Sequence, residues 1–148
     1  MGSVFERGTD GPKVIVAAVD GSITSMRAAF YAAGLARRQS AELVVVYVAG
    51  GSAMAGLVPA AGAAVDEAQH DVATELRTQV EAGAAQAGAR ARFIELKGDP
   101  FNEISKVCTQ VIADAVVVGA STSQGHRLVG SIGIRLIRAG LWPVTVVP

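Results

Sequence analysis

Three runs of this chain are apolar at nearly every position and rich in β-branched residues: Val14–Val19, Leu43–Val48 and Ala115–Val118. A strand with one wet face alternates apolar and polar residues. A strand that is apolar throughout must be covered on both faces, which is the condition of a strand inside a parallel sheet flanked by helices. Two weaker runs complete the set. Arg92–Leu96 mixes apolar and charged residues, and Val144–Val147 is bracketed by Pro143 and Pro148. Proline cannot donate to a central ladder, so both read as edge strands.

Helical patterns fill every gap between these runs. Ser22 is a capping residue ahead of a helix whose apolar positions include Met26, Ala29, Phe30 and Ala33. A second helix sets Val65, Ala68, Val72, Leu76 and Val80 at three- and four-residue steps and stops near Gly88. A third carries Phe101, Ile104, Val107, Cys108 and Val111, with Asp99 and Pro100 as start signals. A fourth opens near Ser131 and runs through Leu136 and Ile137 to about Gly140. Strict alternation of strands and helices predicts an α/β fold: an open five-stranded parallel sheet, doubly wound, with helices on both faces.

Composition narrows the function classes. Apolar residues make up 51% and charged residues 18% of the 148, a globular balance that suits one domain. The formal net charge is zero, which argues against non-specific attraction to nucleic acid or to an anionic membrane. The apolar runs fall well short of the roughly 20 residues of a membrane span. Residues 1–12 have mixed charges and no apolar centre; they read as a disordered arm and not as a secretory signal. Cys108 is the sole cysteine, which excludes an internal disulfide or a multi-cysteine metal site and favours a reducing, cytoplasmic location. On the apolar stripe of the third helix it reads as a core residue, not a nucleophile.

In open α/β sheets ligands bind beyond the carboxyl ends of the strands, where the strand order reverses. Two segments there carry candidate chemistry. Val19-Asp20-Gly21-Ser22 follows the first strand, and Asp20 is either a hydrogen-bond acceptor for a ligand hydroxyl or amine, or a turn and capping aspartate. Gly119 to Ser131 follows the fourth strand. Its glycines at 119, 125 and 130 let backbone approach a ligand, and Gly130-Ser131 opens a helix whose free N–H groups and dipole favour phosphate. His126 and Arg127 add positive charge to the same segment, and Ser131 adds a hydroxyl. The alternative is a flexible connection with a capping serine. The spacing matches neither a P-loop nor a GxGxxG fingerprint. His70 belongs on a solvated helix face, Asp99 at a helix cap, and Asp114 at a turn before the fourth strand. The irregular stretch Ala49–Ala64 leaves the end of the second strand, so it either covers a ligand or has no role.

Taken together, Val19-Asp20-Gly21-Ser22, the segment Ala113 to Gly119, Gly130-Ser131-Ile132 and the ending Pro143-Val144-Thr145-Val146-Val147 resemble the universal stress protein family, over almost the whole chain from Lys13 to Pro148. The resemblance implies an adenine nucleotide alpha hydrolase-like fold with strand order 3-2-1-4-5. It implies binding of ATP or AMP, with Mg accompanying ATP, and a homodimer formed through the last strand at Val144, Thr145, Val146 and Val147. It places the adenosine beside Val19, Asp20 and the end of the second strand at Val48. Ribose and phosphates fall to Gly119, Ala120, Thr122, His126, Arg127, Gly130, Ser131, Ile132 and Gly133. The family's ATP-binding members read Gly-x2-Gly-x9-Gly-Ser/Thr. Here Thr122 stands at the second glycine and seven residues separate it from Gly130, so the loop is two residues short. The functions implied are a non-catalytic nucleotide-binding regulator of the stress response, a nucleotide-free interaction module of the same fold, or a slow ATPase.

Overall fold

The computed structural model describes residues 11–50, 59–123 and 126–148; the expected N-terminal arm, apart from Gly11 and Pro12, lies outside them. The elements run β1 (Val14–Val19), α1 (Ile23–Gln39), β2 (Glu42–Ala49), α2 (Pro59–Ala87), β3 (Arg90–Lys97), α3 (Pro100–Val111), β4 (Ala115–Gly119), β5 (Ser121–Ser123), β6 (His126–Leu128), α4 (Ser131–Ala139) and β7 (Val144–Val147). The main sheet has the order β3-β2-β1-β4-β7, all neighbours parallel. With β7 as the fifth long strand this is the expected 3-2-1-4-5 arrangement. The all-apolar runs β1, β2 and β4 are its centre, and the two weaker ones are its edges.

Both faces of the sheet are covered, which is why the central strands tolerate no polar residue. On one face Ile15, Ala17, Leu43, Val45 and Val117 pack beneath α1 and α2. On the other Val16, Val44, Val46, Val116 and Val118 pack beneath α3 and α4, with Ile104, Val107, Cys108, Leu136 and Trp142. Each Val, Leu or Ile taken fully out of water contributes about 1.5–3 kcal/mol, so the alternation of these two sets along each strand holds its register. Cys108 is fully buried, and burial pushes its thiol up to about 12.

Four local expectations need correction. The irregular stretch is shorter than Ala49–Ala64, because α2 begins at Pro59, while 51–58 lie outside the described residues. The buried stripe of α2 is Ala73, Leu76, Val80 and Ala84, and Ala68 and Val72 face solvent. The stripe runs through Ala73, Leu76 and Val80 at three- and four-residue steps and leaves Val72 outside it. Phe30 is half exposed; its ring lies over Gly83 of α2, where an added Cβ would collide with it. Asp114 is more than a turn residue. It is buried, and its Oδ2 accepts from the backbone N–H of Lys13 (2.8 Å) and of Val14 (2.9 Å), tying the start of β1 to the start of β4.

Candidate functional site

The strand order reverses between β1 and β4, and a cleft of about 420 Å³ opens there beyond their carboxyl ends. Four segments form it: the β1–α1 turn, the end of β2, the first turn of α3, and the stretch from the end of β4 to the first turn of α4. Of the candidates named from the sequence, Val19, Asp20, Val48, Gly119, Ala120, Gly130, Ser131, Ile132 and Gly133 all line it. The side chains of Thr122, His126 and Arg127 lie outside the described residues.

The β1–α1 turn is held by its own hydroxyls. Ser22 caps α1, its Oγ accepting from the N–H of Ser25 at 3.2 Å. The Ser25 hydroxyl donates to Ser22 O and accepts from the N–H of Asp20. Asp20 Oδ1 accepts from the N–H of Ser22 at 2.9 Å. Partial burial raises the pKa of the Asp20 carboxyl, but the hydrogen bonds from Ser22 and Ser25 outweigh it, and the net shift is downward. Asp20 is thus a turn aspartate and also a fixed carboxylate on the wall of the cleft. Among the described lining residues it is the one that carries a charge.

Gly119 has a packing reason of its own. A Cβ built there would lie 2.5 Å from the backbone N of Ser25 and 2.6 Å from the carbonyl O of Thr24. The end of β4 therefore touches the backbone of α1 directly, and the buried Thr24 hydroxyl donates to Ala120 O at 2.5 Å to fasten the contact. Gly133 is similarly tight: a Cβ there would come within 3.0 Å of Val129 and 3.5 Å of Val118. It lets the first turn of α4 lie close on the sheet.

The connection from β4 to α4 differs from the open glycine-rich loop expected. Ser121–Ser123 and His126–Leu128 pair as a short antiparallel ribbon, Thr122 opposite Arg127, with 124–125 outside the described residues. Beyond it α4 starts at an N-cap, Gly130, that has no side chain to accept a hydrogen bond. The helices α1 and α3 are capped by Ser22 and Asp99. Ser131, Ile132 and Gly133, the first residues of α4, thus line the cleft, and position 130 supplies no capping side chain to their N–H groups.

Several lining residues carry no sequence motif. Val46 and Val48 supply an apolar floor, and Pro100 and Ile104 of α3 supply an apolar wall opposite α4. Val48 is among the residues the family resemblance names; only the topology, which sets α3 beside α4, could have found Pro100 and Ile104. A second hollow of about 310 Å³ between α2 and β3 is lined by Asp66, Gln69, His70, Glu95 and Lys97. Its charges are paired within the chain: His70 with Glu95 at 3.0 Å, Lys97 with Asp66 at 2.6 Å. Among the described residues no group of three or more His, Cys, Asp and Glu could hold a metal ion, and no helix is long and apolar enough to cross a membrane.

A doubly wound parallel sheet with a cleft at its switch point, lined by one uncapped helix start and one carboxylate, is the arrangement in which open α/β proteins hold small ligands. The profile of the universal stress protein family matches residues 12–148, and the chain belongs to that family. A universal stress protein of Bacillus subtilis, YxiE, is 27% identical over 143 residues, covering 90% of this chain and 97% of that one. The solved structure of the universal stress protein UspA from Lactobacillus plantarum superimposes with a TM-score of 0.80 at 26% identity, over 92% of this chain and 97% of that one. The universal stress protein from Archaeoglobus fulgidus, solved in complex with dAMP, shares the fold with a TM-score of 0.70 at 22% identity, over 92% and 97% of the two chains.

Proposed function

We propose that this chain is a non-catalytic, adenine-nucleotide-binding protein of the stress response, built as a single domain from Lys13 to Pro148 and acting as a homodimer. The observation that carries the reading is the uncapped start of α4 in a cleft with an apolar floor. Three backbone N–H groups and the positive end of a helix suit a phosphate, and Val46, Val48, Pro100 and Ile104 suit the flat face of a base. Asp20, ionised throughout the neutral range, suits a ribose hydroxyl. The dAMP held by a relative of the same fold supports the same class of ligand.

The non-catalytic reading rests on Asp20. A general base works best with a pKa near the working pH, and hydrogen bonding lowers that of Asp20 below an ordinary carboxylate. With ATP, a phosphate-bound Mg would find in Asp20 the one carboxylate among the described lining residues. The homodimer is proposed through β7. Among the described residues its outer edge pairs with no other strand of the main sheet, and Ile137 and Leu141 nearby are half exposed.

Titration calorimetry with AMP, ATP and cyclic AMP tests the nucleotide reading. The expected result is saturable binding of at least one of them that weakens about tenfold or more in Asp20→Ala, the worth of a hydrogen bond to a charged group. No heat with any of the three would sink it. The dimer is checked by light scattering on the same samples.

A further inference from the structure

Among the described residues the cleft wall offers a phosphate hydrogen-bond donors but no cation, and the one charged side chain lining it, Asp20, is negative. One candidate stands one turn along α4. Arg135 follows Ser131 by four residues and Ile132 by three, so it shares their face of the helix. Side chains on a helix lean toward its N-terminus, which directs a long arginine back toward the uncapped N–H groups of residues 131–133.

The contacts of Arg135 put its guanidinium at the rim of the cleft. It stacks over the ring of Phe101, with 4.2 Å from its central carbon to the ring centre, and its Nη1 is 3.5 Å from Asp99 Oδ2. Asp99 and Phe101 are the two neighbours of Pro100, which lines the cleft. The partnership with Asp99 is weak. The separation is long, both side chains are about half exposed, and Asp99 Oδ2 already accepts from the N–H of Asn102 at 2.9 Å as the cap of α3. Exposed pairs of this kind contribute little to stability, so the arginine can leave at small cost. A phosphate dianion at the start of α4 is the stronger partner, because a guanidinium can bind it through two parallel N–H bonds.

We infer that Arg135 is the phosphate-recognising residue of the cleft, parked on Asp99 and Phe101 until a nucleoside phosphate takes the α4 N-terminus. This rests on the nucleotide reading above and adds to it that binding discriminates a nucleotide from its nucleoside through this side chain.

The test is calorimetry of AMP and of adenosine with wild-type protein, Arg135→Met and Asp99→Asn. Methionine keeps an apolar stem against Phe101 and removes the charge. Asparagine caps a helix as well as aspartate does and removes the competing charge. In Arg135→Met, AMP affinity should fall about tenfold, adenosine affinity should stay as in wild type, and the salt dependence of AMP binding should flatten. In Asp99→Asn, AMP should bind about threefold tighter. Equal losses of AMP and adenosine in Arg135→Met would mean that the arginine only braces α3 against α4, and would overturn the inference. So would unchanged AMP binding in that variant, or weaker AMP binding in Asp99→Asn. Wild-type protein that binds adenosine as tightly as AMP would overturn the inference and leave the nucleotide reading standing. Folded wild-type protein that binds neither would overturn both.

Discussion

Gly119 was assigned to ligand binding from its place in the sequence, and its packing gives it a second duty that can be measured. Gly119→Ala adds one methyl group facing Ser25 N at 2.5 Å and Thr24 O at 2.6 Å. Ordinary contacts are longer by about an ångström. Both opposing atoms are backbone, so no side chain can swing aside; the first turn of α1 must retreat from β4. Overpacking of this kind costs about 1–3 kcal/mol. The retreat also stretches the buried Thr24–Ala120 hydrogen bond, adding about 1 kcal/mol. Against this, replacing glycine reduces the freedom of the unfolded chain and returns about 0.5–1 kcal/mol. The net loss is about 1–3.5 kcal/mol. With about 2.1 cal/mol/K of unfolding entropy per residue, a chain of this length loses roughly 3–11 °C in Tm. Thermal and urea unfolding followed by the fluorescence of Trp142, the sole tryptophan, measure it directly. Trp142 is buried on the opposite face of the sheet, beside α3 and α4, so its signal follows the whole fold and not the altered contact. A Tm within about 2 °C of wild type would refute the steric argument, since that shift corresponds to well under 1 kcal/mol. If such a variant had also lost nucleotide binding, the space beside Gly119 would belong to the ligand and not to α1.

Two further outcomes follow from the core. Asp114→Ala leaves the N–H groups of Lys13 and Val14 without their acceptor and should cost about 2–4 kcal/mol in urea unfolding. Asp114→Asn, whose amide oxygen can still accept, should cost clearly less, and equal losses would show that charge rather than acceptance matters. Cys108, its thiol pushed up from 9.0 to about 12 by burial, should resist iodoacetamide at pH 8 in the native protein and react once urea unfolds it. The folded pKa lies above the unfolded one, so the neutral thiol's contribution is fully present below pH 9 and declines as pH rises from there toward 12. Cys108→Ala should therefore flatten the alkaline limb of the stability curve between those values.

The fold was legible because its strongest signal was redundant. β1, β2 and β4 are apolar at almost every position, and only a central position between two helical layers satisfies that. Prolines 143 and 148 and the charges of β3 marked the edges independently. Ser22 and Asp99 announced their helices because a side-chain cap is a local interaction that needs no tertiary partner. What failed was decided by neighbours distant in sequence. Val72 outweighs Ala73 on any hydrophobic scale, yet it is Ala73 that is buried with Leu76 and Val80 among the alanines of α1 and the sheet residues. Phe30 fits an apolar face, but its ring finds room only over Gly83, at the border with solvent. The β5–β6 ribbon pairs two segments of three residues each, too short to show alternation.

The site was legible where chemistry is carried by backbone at the strand ends and illegible where a helix from elsewhere completes it. Asp20, Gly130 and Ser131 follow directly from the switch-point rule applied to two strands. Pro100 and Ile104 do not, because α3 belongs to the crossover between β3 and β4 and reaches the cleft only through the strand order. The same reasoning separates the three helix starts near the cleft. Those of α1 and α3 each give one early N–H, of Ser25 and of Asn102, to Ser22 and Asp99, and a ligand there would have to displace a hydrogen bond already made. The start of α4 follows a glycine and makes no such bond. A side chain of serine or aspartate at position 130 would stabilise the helix by only a few tenths of a kcal/mol over glycine and would close one of the same N–H groups to phosphate. Its absence from the start of α4 gives up that local stability where a bound anion would restore it.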